Sequence, residues 1–359
     1  MHIADVRDAV GQRIGFSITD ERGRVLVNAG TRLTSGLCQA LVRRGCVQIY
    51  VMDGVADDVG PGDSLTPRTR AVALQTVEQC YQGIEQGARI PVQAIHRAVD
   101  EVIRDLLAAG PAAAEFATLQ HVSELTFVHS VNVCVYSLVI GHGMGVQGEE
   151  LRALGIGALL HDVGKVLCAD VCDKPGALTP DEWARVQQHP VDGFEMLRQY
   201  RELHLFVAHI AFQHHERVNG SGYPRGLQGE EILPLARIVA VADTYEAMTS
   251  DRPFSKGRPP HVAMEELRRR SGDLFEPQVV RLFVQRMAVY PSATPVLLRD
   301  GSVAVVVAQT ANPRSPTVRL LGRAGRVYAD QEEVAATDAY AIQQVLDQWP
   351  RWLAAASAS

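Results

Sequence analysis

Residues 157–165 read GALLHDVGK, an apolar run that stops on the adjacent pair His161-Asp162, with Lys165 three residues further on. Small and aliphatic residues before the pair suit a buried helix. A carboxylate directly after such a run is costly to bury unless a cation compensates it. RIVAVADTYEAM, residues 237–248, repeats the arrangement with Asp243.

Outward from these pairs lie further candidate ligands: His129, His189 and the adjacent His214-His215. A single helical histidine is usually a satisfied core or surface residue. Five histidines and two aspartates in one helical stretch predict a shared metal site. Mixed imidazole and carboxylate donors suit Fe, Mn, Co, Ni or Zn better than Ca. If one helix runs through residues 161–165, then His161, Asp162 and Lys165 share a face. A lysine beside bound metal is repelled unless an anion is also present, and a substrate phosphate supplies one.

The surrounding pattern is helical. Residues 115–287 read as helix after helix, with breaks at GMG (143–145), KPG (174–176), NGSGYPRG (219–226) and RPP (258–260). Apolar spacing from Ile95 to Leu107 predicts an amphipathic helix before this block. The fold class expected is mainly α, with a small α/β N-terminal module and a small β C-terminal appendage. Expected boundaries are 1–55 for the N-terminal module and 56–114 for a linker and connecting helices. The catalytic block follows at 115–291, and a β unit ending in a helix at 292–359. Asp53–Pro67 is rich in Gly, Asp and Pro and reads as linker. PVLLRDGSVAVVVAQ reads as a hairpin about an Asp-Gly turn, and residues 338–355 read as a final helix.

Composition narrows the function classes. The chain has 359 residues, 47% hydrophobic and 21% charged, with a net charge of -6. That balance is ordinary for a globular protein. No basic stripe with interleaved aromatics appears, which argues against a nucleic-acid polymer as partner. No apolar run is long enough to span a bilayer, and the first residues lack a secretory core. The six cysteines form no CxxC pair and read as reduced thiols. A cytoplasmic location is therefore expected. The only lysines, Lys165, Lys174 and Lys256, all lie among the histidines.

The ordered series FVHSVNV (127–133), LLHDVGK (159–165), KPGALTPDEW (174–183), QQHPVDGFEML (187–197), HHERVNGSGYP (214–224) and VAVADTYEAMTSDRPF (239–254) resembles the HD-GYP family. That family is a subset of the HD-domain metal-dependent phosphohydrolases. The resemblance implies a helical bundle around a bridged pair of divalent metals, Fe or Mn, with Ni, Co or Zn as alternatives. It implies that His129, His161, Asp162 and Asp243 hold one ion. His189, His214 and His215 then hold the other, with Asp162 bridging. The implied reaction is opening of cyclic di-GMP, a bacterial signalling nucleotide, to pGpG or GMP. Two metals lower the pKa of a bridging water from about 15.7 towards ~7, and the resulting hydroxide attacks phosphorus. Lys165 would neutralise charge developing on the phosphoryl oxygens. Substrate contacts implied are Lys165, Gly222, Tyr223, Pro224, Arg252 and Lys256. Tyr223 either stacks on a guanine or packs beneath the loop. Glu216 either orients a ligand ring from behind or is a solvated helix-end acid.

Three departures from the family pattern stand out. A glutamate four residues before His129 accompanies a third metal, and this chain has Leu125 there, with Glu124 out of phase. Two metals are therefore expected, although Asp170 occupies another position used by three-metal relatives. Asn219 replaces an aspartate before the Gly-Tyr-Pro run, and Ser255 replaces a basic residue, with Lys256 adjacent. Alternatives are a cyclic di-GMP receptor with little turnover, or a phosphodiesterase for another cyclic dinucleotide. Candidate partners besides the nucleotide are proteins bound through the N-terminal module and a second copy in a homodimer.

Overall fold

The computed structural model describes residues 2–19, 25–44, 46, 48–60, 62–109, 114, 125–172, 174, 176–250, 257–346 and 349–353. The chain forms two compact units, one from 1–64, 109–123 and 285–359, the other from 65–108 and 124–284. No described helix is long and apolar enough to cross a membrane.

In the first unit, β1 (His2–Asp5) and β2 (Arg13–Ile14) flank β5 (Gln48–Met52), antiparallel on both sides. β3 (Ile18–Thr19) and β4 (Val25–Val27) pair separately. Helix α1 (Ser35–Arg43) starts where Thr34 Oγ1 accepts the Leu37 N–H at 3.2 Å, the bond expected of a threonine cap. It buries Cys38 and Leu41 with Ile14, Ile49 and Val51 in a small core.

The same unit holds a sheet ordered β10 (Glu333–Ala335), β8 (Thr317–Arg323), β7 (Ser302–Ala308), β6 (Pro295–Leu298) and β11 (Ile342–Val345), with β9 (Arg326–Val327) on β8. β6 (Pro295–Leu298) and β7 (Ser302–Ala308) form the expected hairpin, with Gly301 at φ +88 in its turn. β8 (Thr317–Arg323) and β10 (Glu333–Ala335) extend it. Among the described residues the expected helix over 338–355 is formed only at 351–353. A 3-10 turn, Asp338–Tyr340, leads instead into β11 (Ile342–Val345), which pairs with β6. Pairing satisfies the open edge of β6, and Ile342 and Val345 pack on its core. The stretch that reads as linker also departs from expectation. Val55, Ala56 and Val59 join Val303, Val305 and Leu321 in a second core. Trp349 Nε1 donates to Asp53 at 2.8 Å.

The second unit is a bundle: α2 (Pro67–Glu85), α3 (Val92–Ala108), α4 (Leu125–Gly143), α5 (Gly148–Leu159), α6 (Ala169–Cys172), α7 (Pro180–Val186), α8 (His189–Leu197), α9 (Leu205–Gln213), α10 (Pro234–Thr249), α11 (Pro260–Arg269) and α12 (Pro277–Arg286). α2 and α3, which read as connecting helices, belong to this unit through buried Ala73, Leu74, Val77, Ile95 and Val99. α5 and α10 are buried almost all round, the signature of central helices. Pro67, Pro180 and Pro234 open their helices at positions where no N–H is needed. α7 adds a reciprocal cap between Thr179 and Glu182.

Candidate metal centre

The bundle brings all seven expected ligands together. His129 comes from α4, Asp243 from α10 and His189 from the first residue of α8. His214 and His215 follow the end of α9, and His161-Asp162 follow α5. One helix does not run through 161–165. α5 stops at Leu159 and a 3-10 segment, Val163–Cys168, carries Lys165. Lys165 Nζ nevertheless meets Asp162 Oδ2 three residues back. The tight path is possible because Gly164 lies against α8. A Cβ there would collide with the His189 carbonyl oxygen and come within 2.7 Å of Gly193 N.

Three of the histidines are held by one device. Nδ1 of His161 lies 2.7 Å from Ala158 O, that of His189 2.6 Å from Val186 O, and that of His214 2.8 Å from Ala211 O. A carbonyl only accepts, so each Nδ1 must carry the proton and donate. Each Nε2 is then a bare lone pair aimed into the centre, the state a metal ligand requires. His129 is held differently, by a carboxylate: its Nδ1 meets Glu246 Oε2 at 2.5 Å.

Asp162 is 1% exposed, and its two oxygens face different histidine pairs. Oδ1 lies 3.2 Å from His189 Nε2 and 3.5 Å from His214 Nε2. Oδ2 lies 3.4 Å from His161 Nε2 and 3.6 Å from His129 Nε2. Asp243 Oδ1 is 3.4 Å from His129 Nε2, and its Oδ2 is 3.9 Å from His215 Nδ1. Two groups result, Asp162 with His189, His214 and His215, and His129 with His161 and Asp243, each with ligand atoms within 4.8 Å of one another.

The electrostatics suit a cation. Asp162 and Asp243 are held well below the ordinary carboxylate range. Burial opposes this, but Lys165 and His161 beside Asp162, and His129 and His215 beside Asp243, outweigh it. Burial pushes His214 down to about 4 and His215 well down, which keeps both rings neutral. His129 is raised to about 10, because Glu246 and Asp243 outweigh burial. His129 Nε2 lies 3.2 Å from His161 Nε2 and can donate its proton there. Nε2 atoms of His189 and His214 lie 3.3 Å apart while both rings donate through Nδ1, and lone pairs this close repel unless positive charge lies between them. Asp162 Oδ1 is buried with no hydrogen-bond partner. An orphaned anionic oxygen facing two imidazole lone pairs fits a divalent ion on chemical grounds.

The Gly-Tyr-Pro loop packs against this centre. A Cβ at Gly222 would meet the backbone of His215, Glu216 and Arg217 at 2.5 Å, so only glycine fits. The Tyr223 ring stacks on His215, with centroids 4.7 Å apart and planes at 28°. Pro224 follows Tyr223 through a cis peptide bond. Glu216 corrects both of its expected roles. It is 2% exposed, and its oxygens accept Arg225 N–H at 2.8 Å and Leu227 N–H at 3.0 Å, so it pins the loop.

The carboxylate behind a ligand ring is Glu246, which the sequence reading missed. Its signal was present: it lies three residues after Asp243, on the same apolar helix. Asp170 lies outside both ligand groups and pairs with Arg185 through two 3.0 Å bonds. Arg252, Ser255, Lys256 and Glu124 lie outside the described residues.

Residues 111–279 match the family described as HD domain. Over 238 residues the chain is 35% identical to a cyclic di-GMP phosphodiesterase of Pseudomonas aeruginosa, covering 66% of this chain and 57% of that one. It is 40% identical over 162 residues to a cyclic di-GMP phosphodiesterase of Thermotoga maritima, covering 45% and 44%. It is 37% identical over 165 residues to a 3′3′-cGAMP-specific phosphodiesterase of Vibrio cholerae, covering 45% and 32%. The chain thus spans between about a third and three fifths of the length of these relatives.

Proposed function

We propose, from the match of residues 111–279 to the HD-domain family, that this chain is a metal-dependent phosphodiesterase that opens cyclic di-GMP. The observation that carries the reading is Asp162, whose two oxygens face two separate histidine pairs while Oδ1 has no hydrogen-bond partner. In this reading His129, His161 and Asp243 hold one divalent ion, His189, His214 and His215 the other, and Asp162 both. Fe or Mn is favoured. Bound there, such ions supply Lewis acidity to a phosphoryl oxygen and acidify water.

The chain's own groups do the rest. Carbonyls of Ala158, Val186 and Ala211 fix three imidazoles before substrate arrives, so no reorganisation is needed on binding. Lys165, part-buried beside Asp162, is placed to meet charge building on the phosphoryl oxygens. Tyr223 and Gly222 close one wall over His215. All six cysteines lie outside any disulfide, which supports a reducing compartment such as the cytoplasm.

The relatives named for cyclic di-GMP favour that substrate, and the 3′3′-cGAMP-specific relative supplies the competing one. The test is incubation of Mn-loaded protein with each dinucleotide in parallel, with products separated by chromatography. Conversion of cyclic di-GMP to pGpG or GMP at the higher kcat/KM supports the proposal. Preference for 3′3′-cGAMP changes the substrate, and no linear product from either overturns the reading.

A further inference from the structure

Arg70 is 1% exposed and stands in the first turn of α2, ahead of the segment matched to the HD family. A guanidinium is always charged, so burying one is strongly unfavourable without directed hydrogen bonds. Its Nη1 donates to Asn132 Oδ1 at 3.2 Å. Asn132 is 0% exposed, and its Nδ2 donates to Glu246 Oε1 at 3.3 Å. Ser250 Oγ donates to the same oxygen at 2.5 Å. The other oxygen, Oε2, receives the His129 Nδ1–H. One hydrogen-bonded path therefore joins α2 to a ligand ring through α4 and α10.

The path has a single polarity. The Asn132 amide must turn its oxygen to the cation and its NH2 to the carboxylate, and both demands select one orientation. Glu246 then stays an acceptor towards His129. The ring keeps its proton on Nδ1 and points Nε2 at Asp162 and Asp243, 3.6 and 3.4 Å away. Without Arg70 the Asn132 oxygen loses this donor in a buried place, and the amide is free to rotate away from Glu246.

We propose that Arg70 is a positioning residue for the metal centre, fixing the His129 ring through Asn132 and Glu246. The inference rests on the reading of His129 as a metal ligand. It makes a helix that precedes the family-matched segment part of the site's machinery.

The test is Mn2+ affinity, titrated by the electron paramagnetic resonance signal of free Mn2+, in wild type, Arg70→Met, Asn132→Ala and the double variant. Loss of partners behind a ligand costs 10–100-fold in metal affinity, and Arg70 acts one bond further back, so about 10-fold weakening is expected for Arg70→Met. The double variant should bind no more weakly than Asn132→Ala alone, because the path is already cut. A purely structural arginine predicts losses that multiply in the double variant, and that result overturns the proposal. Unchanged affinity in Arg70→Met also overturns it. If Arg70→Met does not fold, Arg70→Lys, which keeps the charge but withdraws the fork from Asn132, takes its place with the same two outcomes. A wild-type chain that takes up no Mn2+ refutes the metal-centre reading itself. A wild type that binds Mn2+ beside an Arg70→Met that binds it equally refutes the role of Arg70 alone.

Discussion

Asp162 Oδ1 lies 3.2 Å from His189 Nε2, while the other oxygen of the same carboxylate turns to His161 Nε2 at 3.4 Å. One side chain therefore faces histidines of both ligand groups. Asp162→Ala should lower occupancy of both ions and abolish turnover, whereas His215→Ala, at one end of one group, should lower occupancy of one. Metal analysis of the purified variants beside a turnover assay checks this. Equal metal loss in both variants contradicts it.

Lys165 pairs with Asp162 Oδ2 but carries no lone pair for a metal at neutral pH. Its replacement should separate chemistry from metal binding. Lys165→Met is expected to lower kcat by about 10²-fold or more, as for loss of one preorganised electrostatic partner. Metal content should stay at the wild-type level. An unchanged rate removes Lys165 from the mechanism.

Glu246 is buried and accepts from His129, Asn132 and Ser250 at once. Glu246→Gln keeps the shape, removes the charge and offers one oxygen where two are used. Metal affinity should fall by roughly 10–100-fold, read by competition with a chelator. Affinity equal to wild type would show that the His129 ring needs no anchor.

Gly164 and Gly222 are fixed by backbone neighbours, which cannot move aside as a flexible side chain can. Gly164→Ala and Gly222→Ala should each destabilise the protein by about 1–3 kcal/mol, as for overpacking a close contact. Thermal unfolding of metal-free protein measures this apart from ligand effects. A midpoint equal to wild type contradicts the close approach seen at either position.

Cys168 and Cys172 place their sulfurs 3.4 Å apart on the segment that follows Lys165, yet neither joins a ligand group. Cys168→Ala should leave metal content and turnover near wild type. Complete loss of either would reveal a thiol ligand.

Part of the site was legible because four of its candidate ligands follow apolar helices, His161-Asp162 after α5 and His214-His215 after α9. The family resemblance of the motif series then implied an ion for each histidine. What stayed hidden depends on partners distant in sequence. Glu246 reads as one more acid on a helix until α4 brings His129 against it. Glu216 reads as a helix-end acid until the loop beyond Gly222 folds back onto its oxygens. Ile342–Val345 reads as helix because nothing local reports the open edge of β6 that recruits it. Val55 and Val59 sit in turn-rich sequence, and only tertiary contact with the C-terminal strands makes them core.

The most direct measurement is the metal-to-protein ratio of Mn-reconstituted wild type beside Asp162→Ala, with cyclic di-GMP hydrolysis followed on the same samples. A ratio near two with steady turnover, and loss of both in the variant, is the predicted result. A wild type that hydrolyses cyclic di-GMP with no bound metal, or an Asp162→Ala that keeps both ions and full activity, would contradict the account.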